Sequence, residues 1–289
     1  MDYIFDKFTE WMKNLLISGI MNNLSGLFDN VNAKVSEVGT QVSSTPQAWN
    51  GNIYNMIKTL SDNLILPIAG VILTIVMTLE LIQMVTDRNN LHDVDTWMFF
   101  KWIFKTACAV LIVSHTWDIV MGVFDVAGNV INRASGIVLS ETNIDIASHF
   151  SDLEERLNGM GVGELLGLWL QSFVVGISMW VLSICIFIIA YGRMIEIYLV
   201  TSVAPIPMST MVNKEWGQMG NNYLKSLFAL GFQGFLIMVC VAIYAVLVRN
   251  MIVDTNISTA IWSCMGYTVL LCFTLFKTGS LSKSVFGAH

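Results

Sequence analysis

The chain has 289 residues, of which 55% are hydrophobic and only 12% charged, and its formal net charge is −6. This composition excludes an ordinary soluble domain and points to a polytopic membrane protein. The acidic balance, without any Lys/Arg cluster, excludes a sequence-reading nucleic-acid surface, which needs a basic field. Five cysteines, Cys108, Cys185, Cys240, Cys264 and Cys272, sit in apolar runs without CxxC or Cys/His spacing. They read as small buried apolar residues rather than a disulfide framework or metal site, and no cofactor is expected. The N-terminus lacks the basic start, continuous apolar run and cleavage site of a secretory signal, so internal spans are expected to drive insertion.

In chain order, residues 3–28 place Ile4, Phe8, Trp11, Met12, Leu15, Ile20, Leu24 and Leu27 at helical intervals, with Asp6, Lys7, Glu10, Lys13 and Asn14 turned away. The spacing predicts an amphipathic helix, lying either on a membrane or partner surface or flat against its own bundle. Residues 29–46 turn polar, with Val31, Val35, Val38 and Val42 as a thin stripe, and are expected as a soluble helix or a disordered tail. A second amphipathic stretch, Trp49, Ile53, Met56, Ile57 and Leu60, leads into a first span over 64–85, with Pro67 in its first turn. A short charged connection over 86–96 precedes the second span, 97 to about 124, which opens on Trp97, Phe99, Phe100 and Trp102, aromatic residues suited to an interface. Lys101 and Lys105, one turn apart, are expected to snorkel to headgroups. An amphipathic pattern over 123–138 and an acidic segment with Asp145, Asp152, Glu154 and Glu155 make a large polar loop, 125–162, expected to be helical in part. Further spans are expected over 164–191, 223–248 and 259–276, followed by a small polar tail. The whole is then an N-terminal extramembrane region, 1–63, and an all-α transmembrane bundle, 64–289.

Residues 192–211, GRMIEIYLVTSVAPIPMSTM, depart from an ordinary span. Pro205 and Pro207 remove two backbone donors and are expected to bar the α conformation at Ala204 and Ile206, so a helix beginning near Arg193 is expected to stop at about Val203. A helix that stops within a bilayer survives only where protein or a water-filled cavity surrounds it. If the segment is re-entrant, dipping in and returning, five spans remain. Arg88, Lys101, Lys105, Arg193, Lys214, Lys225, Lys277 and Lys283 then share one side, against Arg133, Arg156 and Arg249 on the other. The positive-inside rule so favours five spans over six, with the N-terminal region extracytoplasmic and the C-terminus cytoplasmic. Lys7, Lys13, Lys34 and Lys58 run against that count, although charges far from a span weigh less.

Four acidic residues, Glu80, Asp118, Glu164 and Glu196, lie at or within the spans. A charge at mid-span costs about 2.5–3.5 kcal/mol, so such a group faces a bundle interior, a cavity or a partner. Asp118 and Glu164 are near span ends and read as interfacial, as does Trp216, whereas Glu80 lies close enough to an end to reach headgroups. Glu196 has Arg193 one turn away on the same face, and the two are expected to neutralise each other. That pair either lets a helix end enter the membrane or lines an aqueous path. The histidines His92, His115, His149 and His289 are scattered, with no metal-ligand spacing, and Gly159, Gly161 and Gly163 follow no strand and precede no Lys-Ser/Thr. No enzyme is expected. A small-solute or ion transporter is the alternative, since broken helices near the midplane build such sites, but the inverted repeats this would bring are not found. A holin-like or immunity membrane protein fits less well with a charged, broken span.

The order of parts, with RMIEIYLVTSVAPIPMSTM followed by Trp216-Gly217, Tyr223-Leu224-Lys225 and Gln233-Gly234, resembles the TrbL-like membrane component of type IV secretion systems, the VirB-six class. The similarity is to its short form from conjugative elements of Gram-positive bacteria, without the long soluble C-terminal domain of some relatives. The resemblance implies a non-enzymatic channel or scaffold part of a conjugation machine that moves DNA and attached relaxase across the cytoplasmic membrane. It further implies a homo-oligomer in contact with lipid, a VirB-four-type ATPase, a VirB-three-type membrane protein and a VirB-eight-type scaffold. Contact with single-stranded DNA or relaxase would be transient and free of sequence-specific binding. Arg193, Glu196, Pro205 and Pro207 would line the path or seat a partner.

Overall fold

The computed structural model describes residues 2–86, 96–142, 147–251 and 257–288, and among them every regular element is a helix. In order these are α1 (Asp2–Ser43), α2 (Pro46–Trp49), α3 (Gly51–Leu60), a π-helical turn (Ser61–Ile65), α4 (Leu66–Thr86), α5 (Thr96–Ser114) and α6 (Thr116–Thr142). There follow α7 (Ala147–Asn158), α8 (Val162–Ser202), α9 (Pro205–Thr210), α10 (Gly217–Met251) and α11 (Ile257–Phe286). Most of the connection over 86–96, with Arg88 and His92, together with Asp145 and part of the loop over 249–258, lies outside the described residues. Among the described residues five helical stretches are long and apolar enough to cross a bilayer: Gly51–Thr86, Thr96–Ser114, Val162–Ser202, Gly217–Asn250 and Ile257–Phe286. The chain is therefore an all-α polytopic membrane protein.

Local chemistry accounts for several element ends. Thr45 caps α2 by accepting the Ala48 N–H at 3.3 Å, and Asn50 caps α3 by accepting from Asn52 and Ile53 at 3.1 and 3.0 Å. The helix does not start at Pro67. It runs through that proline from Gly51, and the π turn before it, in which the Leu66 N–H reaches back to Ser61 O, widens the ladder where the ring would otherwise clash. The span expected over 97–124 is divided at His115, which still donates to Leu111 O and accepts from Ile119, so α5 and α6 adjoin at one irregular residue. The tail after 276 stays helical to Phe286. It closes on Gly287 at φ +59°, with the Gly287 N–H on Ser284 O and the Ala288 N–H on Lys283 O, a left-handed glycine cap.

Helix α8 corrects one expectation outright. No helix begins near Arg193; a single helix of 41 residues runs unbroken from Val162 to Ser202, about 60 Å at ~1.5 Å per residue. Gly192 does not interrupt it, because one glycine weakens a helix by only about 1 kcal/mol and removes no donor. The stop came where the prolines placed it, but Ala204 is α-helical at φ −50°, ψ −40° rather than extended. A residue before proline is disfavoured there, not barred. Here the Ala204 N–H bonds Thr201 O at 3.2 Å and its carbonyl takes the Met208 N–H at 3.2 Å. Ile206, inside α9, likewise donates to Val203 O at 3.1 Å.

The chain divides into two compact units. The first comprises Met1–Val42, Ile131–Ala190 and Phe235–Thr278. Its apolar core joins Ile20, Leu24, Val35, Val38 and Val42 of α1 to Ile131, Leu157, Leu165, Leu182, Met238 and Leu275. The polar stretch over 29–43 is thus ordinary helix, held by Val35, Val38 and Val42. Asn23 donates to Ser172 at 2.9 Å, and Gly19 passes so close to Trp169 that a Cβ would lie 2.7 Å from the indole nitrogen. The amphipathic stripe of α1 splits: Ile20 and Leu24 are buried, whereas Ile4, Phe8, Trp11 and Leu15 are exposed, and Leu16 and Ile17, outside the stripe, are buried as well. The second unit comprises Ser43–Val130, Tyr191–Gly234 and Gly279–His289. One of its cores gathers Trp117, Val120 and Phe124 of α6 with Met194, Ile197, Ala204, Leu227 and Leu230; the other gathers Ala69, Leu73 and Met77 of α4 with Ala109 and Val113 of α5.

Candidate functional site

Within the second unit the end of α8, the six-residue α9 and the start of α10 form a corner. Two prolines interrupt its hydrogen-bond ladder. Pro205, Met208, Ser209 and Thr210 are buried, and α9 packs against both α4 and α5, with Val212 joining their core. Ser209 and Thr210 turn their hydroxyls back onto Ile206 O and Pro207 O at 2.6 and 2.8 Å. The break is therefore walled by protein, as an interrupted helix requires.

Two glycines let α10 begin so close to α9. A Cβ on Gly220 would lie 2.7 Å from both Pro207 O and Met211 Cβ, and one on Gly217 would lie 2.8 Å from Met211 O. Between α9 and α10 Asn213 closes the turn: its Oδ1 accepts the N–H groups of Glu215 and Trp216 at 2.8 and 2.9 Å. Trp216, assigned to an interface from sequence, is exposed in the turn just before α10.

The charged residues expected to work as an adjacent pair do not meet. Arg193 is buried and points to α10, its Nε donating to Leu230 O at 3.2 Å and Nη2 to Gly231 O at 3.1 Å. Glu196 instead accepts from Lys283 of α11 at 3.2 Å, with both side chains about half exposed. An i,i+3 pair on one helix gains only about 0.2–0.5 kcal/mol, and α10 and α11 supply other partners to both residues. Ser282 fixes the α11 end nearby by donating to Ala229 O at 2.5 Å, and Phe286 stacks on Phe228 with ring centres 6.3 Å apart.

Glu80 and Lys105, assigned from sequence to headgroups, are paired with each other across α4 and α5, and Glu80 also accepts from Asn213 at 3.3 Å. Trp102 ties the same two helices by donating to Met77 O at 3.0 Å, while Lys101 stays exposed. Asn213 and Gly220 were not singled out from sequence. The signal available was a polar turn carrying an Asn three residues before Trp-Gly, the spacing at which an Asn oxygen reaches back to close a turn.

The far end of the corner is held by Tyr198, whose hydroxyl donates to Pro46 O at 2.6 Å while its ring leans on Trp49 at 5.9 Å. Trp117 likewise donates to Tyr54 OH at 2.8 Å. Tyr198→Phe removes one buried hydrogen bond, worth about 1 kcal/mol, and is expected to lower the melting midpoint of the detergent-solubilised protein by about 2–4 °C. An unchanged midpoint would mean that the hydroxyl is not holding α2.

A model of one protein family, described as TrbL/VirB6 plasmid conjugal transfer like protein, matches residues 31–205. The matched residues take in Glu80, Lys105, Arg193 and Glu196 and end on Pro205, so Asn213, Gly220 and the run from Trp216 to Gly234 lie beyond them. No curated protein and no solved structure matches the chain.

Proposed function

The chain belongs to the TrbL/VirB6 plasmid conjugal transfer-like family and is a multi-pass membrane component of a conjugal transfer system, and from that premise we propose that it contributes to the path taken by DNA and attached relaxase across the cytoplasmic membrane. The working element in this reading is the corner from α8 through α9 to α10, which joins two spans. One observation carries it. Glu196 and Lys283 remain 44% and 50% exposed at the side chain and lie near the ends of the span-bearing helices α8 and α11. Half-exposed charges at span ends face water, headgroups or a protein partner rather than hydrocarbon, so the corner offers a polar surface to its surroundings.

In this reading the C-terminus is cytoplasmic and the N-terminal region extracytoplasmic, as the lysine and arginine distribution favours. The partners are further copies of the chain, other membrane subunits of the transfer system and a VirB-four-type ATPase. A photoreactive residue in place of Leu199 or Val203, both exposed beside Glu196, tests the path directly. Irradiation of cells engaged in transfer is expected to capture the transferring single strand or its relaxase from these positions and not from Val71, exposed on α4. Recovery of neither from positions 199 and 203 while transfer proceeds at its normal rate would reject the path assignment.

A further inference from the structure

Asn213 is used at both ends of its side chain. Its Oδ1 closes the turn into α10 through the Glu215 and Trp216 N–H groups, and its Nδ2 donates to Glu80 Oε2 at 3.3 Å, whose other oxygen holds Lys105. The residue is buried, and its backbone is tied as well, the N–H to Thr210 O at 3.1 Å and the carbonyl to the Gly217 N–H at 2.9 Å. Closing a turn needs only an acceptor, a task for which Asp serves as well as Asn. The amide nitrogen is the part that turn closure does not explain. Only a side chain with an acceptor on one arm and a donor on the other can close this turn and bind a carboxylate at once.

We propose that Asn213 is a positioning residue, a latch that fastens the α9 corner and the first turn of α10 to the Glu80–Lys105 pair, so that the corner and the α4–α5 hairpin are held in one register. Through this latch a change at a charged pair on α4 and α5 is felt at the start of α10, although neither helix is adjacent to it in sequence. The inference rests on the corner being the working element only where transfer is measured; the stability of the purified chain tests it independently.

The test uses the full-length protein carrying Asn213→Asp, Glu80→Gln or both, with melting midpoints in detergent and transfer frequency in a complemented deletion strain. In N213D the new carboxylate still closes the turn but sets a second negative charge against Glu80, so this variant is expected to lower the midpoint by about 4 °C or more and transfer about tenfold. E80Q has one acceptor oxygen where Glu80 has two, so it can hold Asn213 or Lys105 but not both. In the double variant the amide introduced on α4 donates to the carboxylate introduced in the turn, and at least half of the N213D loss is expected to return. Should N213D fail to fold, recovery of folded protein in the double variant is the same result. A midpoint for N213D equal to wild type, or no recovery in the double variant, would reduce Asn213 to a turn cap and overturn the latch. Recovery of the midpoint with transfer insensitive to N213D would support the latch and count instead against the corner as the working element.

Discussion

Gly220→Val is expected to leave no folded protein, whereas Gly122→Ala and Gly266→Ala are expected to be neutral or slightly stabilising. The contrast follows from what a new Cβ meets. At Gly220 it would lie 2.7 Å from Pro207 O, 2.7 Å from Met211 Cβ and 2.8 Å from Met211 Cα, largely backbone that cannot rotate aside. At Gly122 and Gly266 nothing lies within 4 Å, and alanine only improves helix propensity. Overpacking a well-filled site costs about 1–3 kcal/mol where side chains can yield, and more where they cannot. Gly220→Ala should thus lose about 3 kcal/mol, and valine, with two further methyl groups, should prevent α10 from seating on α9 at all. Fluorescence-detected size exclusion of a tagged chain, followed by melting of whatever is monodisperse, measures this. A Gly220→Val protein with a wild-type midpoint would show that α10 does not start against α9.

The sequence made the five apolar stretches and the stop before Pro205 legible, because both depend on local chemistry: long uncharged runs, and a missing N–H. What it left open depends on neighbours. Arg193 and Glu196 are three residues apart, and on an isolated helix they would attract one another, but that gain is only about 0.2–0.5 kcal/mol. Two backbone carbonyls of α10 and the ammonium of Lys283 outweigh it, and none of these is adjacent in sequence. Lys105 and Glu80 were assigned to headgroups for the same reason, since the meeting of α4 and α5 that pairs them is not written in either helix. Residues 29–43 were ambiguous because a thin valine stripe is too little to hold a helix alone; burial of Val35, Val38 and Val42 against other segments decides it. Ala204 is the reverse case, a local rule that was real but weak. The preference against helix before proline yielded to two hydrogen bonds and full burial of a small side chain.

Arg193→Glu is expected to abolish the folded protein, with Arg193→Lys and Arg193→Met each losing part of its stability, the methionine variant more than the lysine. The guanidinium is buried at 5% exposure and sets two N–H groups on successive carbonyls, Leu230 at 3.2 Å and Gly231 at 3.1 Å. Both carbonyls lie inside α10, so the arginine draws on their remaining lone pairs and fastens α8 to α10 without breaking the helical ladder. Lysine keeps the charge, but one tetrahedral ammonium cannot match the planar fork that spans neighbouring oxygens, and a loss of about 1–2 kcal/mol is expected. Methionine fills much of the volume and removes the cost of burying a charge, which limits its loss to about 2–3 kcal/mol. Glutamate brings no donor and turns a negative carboxylate toward two carbonyl oxygens in a buried site, a cost of about 4 kcal/mol or more. The series is read by yield of monodisperse protein and by melting midpoint. If the glutamate variant melted with the arginine protein, the guanidinium would have to lie outside the second unit's core, and α8 and α10 would be joined there by apolar packing alone.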